Sequence, residues 1–169
     1  HLEQKPDFCG EACVAMWLGK LGKPGDQDWV FDQSRVDPRL GRGAWSRELA
    51  RGLERIGFAT GKGWYSVDAG DGAGLDRRFA ELHADLVAGV PSIVCTRYDE
   101  RPDTTEHFRL ILGYDADKDE VVYHEPAEDD GAYRRMSRAR FLSLWPLRYE
   151  AEHWTVIRLA LAPASVDVP

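Results

Sequence analysis

Apolar positions recur with helical spacing through the first half of the chain and in short runs through the second. Over residues 9–21, Cys9, Ala12, Cys13 and Met16 form one stripe, and Val14, Trp17, Leu18 and Leu21 form another. A helix apolar on most of its sides is a buried central helix. Gly22 and Pro24 end it. Ser46 then reads as the cap of a second helix, with Leu49, Leu53 and Ile56 at i, i+4 and i+7 before Gly57. A third runs from about Leu75 through Phe79, Leu82 and Leu86 to Gly89. After that the period changes. Residues 91–96, 108–114, 121–124 and 154–161 are short, rich in β-branched or aromatic side chains and separated by turn signals, with 137–144 as one more short helix among them. Helices first and strands later predict an α+β fold, the N-terminal helices and their buried member packed on a mostly antiparallel sheet.

No repeat, low-complexity tract or linker-like shift interrupts the chain before residues 162–169, which read as a frayed tail. With 169 residues, 43% hydrophobic and 30% charged, the composition fits a single domain over 1–169, read as a monomer. The net charge of -7 argues against a surface that neutralises phosphates or docks on anionic lipid, so nucleic acid is not an expected partner. The apolar runs fall far short of the roughly 20 residues that span a bilayer. Three cysteines do not make a disulfide framework, and no CxxC or Cys/His set has zinc spacing, so no cofactor or metal is expected. A start at His1 without methionine reads as a mature, excised or trimmed form and leans towards an exported protein.

The chemistry begins at Gln4-Lys5-Pro6-Asp7-Phe8-Cys9-Gly10-Glu11-Ala12. A cysteine in the first turn of a helix feels the positive end of the macrodipole and unpaired N–H groups, which favour thiolate over thiol. Gly10 leaves the approach to it unobstructed, and Asp7 or a neighbour is placed to cap the first turn. A free cysteine also packs as a small hydrophobe, which is the reading Cys9 would have alone. Its context is a histidine opening an apolar strand, Glu106-His107-Phe108-Arg109-Leu110-Ile111-Leu112-Gly113-Tyr114-Asp115, and a second strand, Val121-Val122-Tyr123-His124-Glu125-Pro126, that ends in a carboxylate. A hairpin across residues 115–120 sets the start of one strand beside the end of the other, making His107 and Glu125 neighbours. A base beside a nucleophile, itself oriented by an acid, is the activated-nucleophile arrangement.

With these pieces the chain resembles the papain-like cysteine peptidases of the C39-like branch, related to bacteriocin-leader peptidases. The matching parts are Gln4-x(4)-Cys9-Gly10-x-Ala12, His107-Phe108-x(4)-Gly113-Tyr114-Asp115 and Glu125-Pro126, with Phe141 and Trp145 as an aromatic pair after the acid. Phytochelatin synthases look like a more distant relative with the same residue order. The resemblance covers roughly residues 4–160. It implies a papain-like fold and a cysteine peptidase acting on a peptide or protein substrate. In it Cys9 is the nucleophile, His107 the base, Glu125 the orienting acid and Gln4 the oxyanion donor. Two positions depart from the pattern. Glu125 stands where Asp or Asn is usual, a side chain longer by about 1.5 Å, and Gln4 is one position nearer the cysteine. An acyltransferase or transpeptidase on the same machinery, and a peptide-binding module without turnover, are the alternatives.

Other constellations read as surface or core. Asp115, Asp117 and Asp119 imitate the start of a calcium loop, but Glu120 and Pro126 stand where it needs Gly and Glu, so a solvated turn explains them. Arg134, Arg135, Arg138 and Arg140 read as the exposed side of a strand and short helix rather than a binding patch, and Glu125, Glu128, Asp129 and Asp130 as an acidic loop whose charges mostly solvate it, with preference for a basic substrate segment as the alternative. Trp17, Trp64, Trp145 and Trp154 read as core or cleft walls, with core the reading for most of them.

Overall fold

The computed structural model describes residues 1–164. In chain order the elements are α1 (Cys9–Lys20), α2 (Gln27–Ser34), a 3-10 turn (Pro38–Leu40), α3 (Ser46–Ile56), β1 (Phe58–Ala59), β2 (Trp64–Asp68), α4 (Gly72–Val87), β3 (Ser92–Arg97), β4 (Glu106–Asp115), β5 (Glu120–His124), β6 (Arg134–Ser137), α5 (Arg138–Leu144), β7 (His153–Ala160) and β8 (Ala162–Pro163). Six of the strands form one antiparallel sheet in the order β2-β7-β3-β4-β5-β6.

Both faces of that sheet are covered. Ile93, Cys95, Phe108, Leu110, Ile157 and Leu159 pack with Cys13 and Val14 of α1 and with Leu49 and Leu53 of α3. The alternate residues Val94, Ile111 and Val156 pack on the other face with Phe79 and Leu82 of α4 and Phe141 and Leu144 of α5. A strand buried on both faces has no polar side, which is why residues 92–96 are buried without alternation. Between helices and sheet, α1 is buried from Gly10 to Met16 and again at Leu18, the central helix that its double stripe predicts. The Phe141 and Trp145 rings meet at 5.0 Å, tilted by 34°, in the second core, and the Trp145 indole N–H donates to the Ile157 carbonyl, tying α5 to β7. Among the described residues, no helix is long and apolar enough to cross a membrane.

Three features differ from the sequence expectation. Helix α2 is unannounced, because it buries only Gln27, Val30 and Ser34; Asp26 starts it by accepting the Trp29 N–H. Strands do not wait for the helices to finish. Strand β2 precedes α4 and pairs with β7 from Trp64↔Ile157 to Asp68↔His153, a partner far downstream that no local pattern reveals. Finally, Ala162 and Pro163 do not fray but pair with Phe58 and Ala59, while residues 165–169 of the expected tail lie outside the described residues.

Candidate active site

Cys9 is the first residue of α1, and the cap residue Phe8 offers no side-chain hydrogen bond. Asp7 therefore does not cap the helix, contrary to expectation; it occupies the left-handed region at φ 62°, which Asp tolerates better than most residues. The main-chain groups of Phe108, Gly10 and Cys9 itself act to lower the Cys9 thiol. These contacts do not leave a thiolate. Burial outweighs them and, with Glu11 nearby, pushes the Cys9 thiol up to about 11, so the free protein holds a neutral thiol at pH 7. This corrects the expectation from the helix terminus alone. Gly10 also has another role than an open approach. It is buried, and a Cβ there would lie 2.8 Å from Leu49 and 3.1 Å from the Phe108 ring, so it lets α1 meet α3 and β4 closely.

His107 and Glu125 are neighbours, as the hairpin predicts, and both are buried. The His107 Nε2–H donates to Glu125 Oε1 in a short hydrogen bond, which leaves Nδ1 as the other ring nitrogen. Their meeting depends on a bulge. Strands β4 and β5 pair Asp115↔Glu120 and Gly113↔Val122, then shift by one residue so that Ile111 opposes Tyr123 and Leu110 opposes His124. Extending that register sets Glu125 opposite Arg109 and on the same face as His107, two residues earlier. Without the extra residue, Glu125 would oppose Leu110 and aim at the other face. Bulges re-aim side chains in this way.

Arg109, which sequence reasoning passed over as one more strand residue, completes the cluster. Its Nε–H donates to Glu125 Oε2 at 2.8 Å, and Nη1 and Nη2 reach the Thr96 hydroxyl at 2.7 Å and the Tyr98 carbonyl at 2.8 Å. Burial alone would raise the Glu125 carboxyl, but the His107 hydrogen bond, the charges of His107 and Arg109 and the Ala127 N–H together hold it below its ordinary value. The acid is thus an ionised carboxylate with both oxygens engaged. The signal for Arg109 in the sequence was its spacing, i+2 from His107.

Cys9, His107 and Gln4 line one cleft of about 560 Å³, walled on one side by residues 42–46 and on the other by residues 105–108 and Tyr149. The Gln4 main-chain N–H donates to the Pro126 carbonyl at 2.8 Å, fixing this segment beside the residue that follows Glu125. The Gln4 Oε1 is buried without a hydrogen-bond partner. Glu11, also missed, holds the opposite wall: fully buried in α1, it accepts the Ala44 N–H at 2.6 Å. Burial, opposed by the Ala44 N–H, raises its carboxyl to about 7. Gly43 beside it approaches so closely that a Cβ would lie 2.0 Å from the Asp7 carbonyl oxygen. A lone acid in an apolar helix was the available sign. Trp45, absent from the sequence assignments, is 66% exposed on the cleft rim with the Arg42 guanidinium 3.8 Å from its ring centre.

The arginines of β6 and α5 have local partners. Arg134 pairs with Glu128 and Asp130, Arg135 with Asp115, Arg138 with Asp76 and Asp119, and Arg140 with Glu100. Asp115 also accepts from the Asp117 and Lys118 N–H groups, as a turn residue does. Of the assigned tryptophans only Trp145 is fully buried; Trp17, Trp64 and Trp154 are partly exposed. His124 is buried with Nδ1 accepting the Tyr133 N–H, and burial together with the charge of the chain's amino group lowers it to about 4. It is a neutral structural histidine.

A search of curated proteins gave no match. Among solved structures, the chain is similar to the peptidase domain of Streptococcus ComA, a bi-functional ABC transporter involved in a quorum-sensing pathway. The TM-score is 0.57 at 15% identity, over 95% of this chain and 96% of that one, a likeness of fold. The model of the Peptidase_C39 like family matches residues 1–152, and with most of its length so matched this chain belongs to that family.

Proposed function

We propose that the protein is a cysteine peptidase that cleaves peptide bonds through a thioester on Cys9, within a single domain. The observation that carries this reading is the engagement of His107 on Nε2 by Glu125, which leaves Nδ1 to serve a cleft that Cys9 also lines. A neutral thiol demands a base in the attacking step. His107 takes the Cys9 proton as the sulfur attacks the substrate carbonyl, and the resulting imidazolium is stabilised by ionised Glu125. The oxyanion then lies towards the Cys9 N–H, with the side-chain amide of Gln4 as the second donor. Collapse expels the amine, which receives its proton from His107, and leaves an acyl-Cys9 thioester. Water, deprotonated by His107, hydrolyses it and restores the thiol.

A second reading, peptide binding without turnover, is favoured by the burial that holds Cys9 as a thiol near pKa 11. Incubation with a defined mixture of synthetic peptides, analysed by liquid chromatography and mass spectrometry, separates the two. The peptidase reading expects new termini with wild type, none with Cys9→Ala, and loss of roughly 10²-fold or more with His107→Ala. Cleavage at equal rate by Cys9→Ala overturns it, and retention of intact peptides by all three proteins favours the binding module.

A further inference from the structure

We infer that Arg109 is a positioning residue that sets the proton affinity of His107 by sharing the Glu125 carboxylate with it. The inference rests on the peptidase reading for its purpose, though not for its test. Glu125 divides its two oxygens: Oε1 takes the His107 Nε2–H and the Ala127 N–H, and Oε2 takes the Arg109 Nε–H. The carboxylate therefore cannot rotate towards one partner without losing the other.

Arg109 is itself fixed. Its side chain is 5% exposed, it donates to Thr96 Oγ1 and to the carbonyls of Arg97 and Tyr98, and its guanidinium lies 5.3 Å from the Tyr98 ring centre and 5.8 Å from that of Tyr123. The Tyr98 ring meets the His107 ring edge-on at 5.0 Å. One arginine thus braces the acid that orients the imidazole and the aromatic ring that flanks it. This geometry also accounts for glutamate at position 125: the longer arm reaches between His107 and Arg109 from the strand end.

Charge adds a second consequence. With Arg109 in place, a protonated His107 shares a single negative charge with another cation, so the buried cluster becomes net positive when the imidazole takes a proton. With Arg109 neutralised, the whole carboxylate charge serves the imidazolium. At the separations of such a cluster, Coulomb's law at the effective dielectric of a partly buried site predicts a change of about one pH unit or more. Arg109 therefore weakens the hold on a proton that Glu125 alone would give His107.

The test is NMR titration of the His107 ring in protein labelled at histidine, in wild type, Arg109→Met and Arg109→Lys, without substrate. It answers whether or not the protein turns anything over, so its failure is distinct from failure of the peptidase reading. Arg109→Met is expected to raise the His107 midpoint by about one pH unit or more. A folded Arg109→Met protein with the wild-type midpoint overturns the inference. Should loss of a buried cation unfold that variant, Arg109→Lys decides. It keeps the charge and loses the planar fork, so the midpoint is expected to stay while the downfield Nε2–H resonance, the mark of the bond to Glu125, weakens by exchange. An unchanged resonance in Arg109→Lys contradicts a positioning role, and a purely structural role lowers stability without moving either signal.

Discussion

His107 and Glu125 are 18 residues apart in the chain and joined through ring Nε2 and carboxylate Oε1, a contact that exists because β4 carries one extra residue at Leu112. The hairpin brings the two strand ends together, and the bulge brings the two side chains to one face. Arg109 then closes the other side of the acid.

Replacing His107 by alanine is expected to remove the general base while leaving the fold. Glu125 keeps Arg109 and the Ala127 N–H as partners, so the stability cost is about 1–3 kcal/mol, the scale of one buried charge-assisted hydrogen bond. Thermal unfolding together with peptide cleavage checks this. A variant that melts like wild type and cleaves like wild type refutes the assignment of His107.

For Glu125 the length of the side chain is the question. Glu125→Asp withdraws the carboxylate by about 1.5 Å, so it cannot hold His107 and Arg109 together, and cleavage should fall. Glu125→Gln keeps the length and loses the charge that stabilises the imidazolium. Kinetics on both variants are expected to show losses in each. A Glu125→Asp variant as active as wild type would mean that the bridge to Arg109 is irrelevant to turnover.

Cysteine labelling tests the state of the nucleophile. Cys13 and Cys95 are buried, and burial raises both thiols, whereas Cys9 opens on the cleft. Peptide mapping after iodoacetamide treatment should find Cys9 modified first. Because its thiol sits near 11, the rate should climb steadily through the alkaline range. A plateau already reached near pH 6 would instead reveal a preformed thiolate–imidazolium pair.

Much of this was legible locally. The stripes of α1, α3 and α4 and the turn at 115–120 are short-range signals, and they bring Cys9 to its helix start and the strand ends bearing His107 and Glu125 together; the bulge at Leu112 that sets both side chains on one face is not among them. What was not legible depends on pairing between distant segments. Strand β2 takes its meaning from β7, and β1 from Ala162 and Pro163. Arg109 and Glu11 are charged residues inside apolar elements, and only the folded chain supplies the Glu125 carboxylate to one and the Ala44 N–H to the other. The state of the Cys9 thiol is hidden for a related reason: a helix start is visible in sequence, while the depth of its burial is not.

Two buried groups are expected to oppose each other in the dependence of stability on pH. Burial raises Glu11 from an ordinary 4.5 to about 7, so its contribution is fully present below about 4.5 and is lost as pH rises through about 7. His124 is lowered from an ordinary 6.5 to about 4, so its contribution is present above about 6.5 and is lost as pH falls through about 4. The two slopes overlap and largely cancel between about pH 4.5 and 6.5. Denaturant unfolding should therefore show Glu11→Gln gaining stability as pH rises across that window and His124→Asn losing it, each on the order of 2–3 kcal/mol. Parallel slopes in the two variants would count against these assignments.

The central claim is that Cys9 carries the acyl group of a cleaved peptide. Intact-mass measurement of the protein after rapid mixing with a peptide mixture and acid quenching reads that intermediate directly. The account predicts an acyl adduct on Cys9 that water removes, that accumulates when Glu125→Gln slows its hydrolysis, and that is absent from Cys9→Ala. A wild-type protein that cleaves peptides with no adduct on Cys9 at any time point, or an adduct that persists in Cys9→Ala, would contradict it.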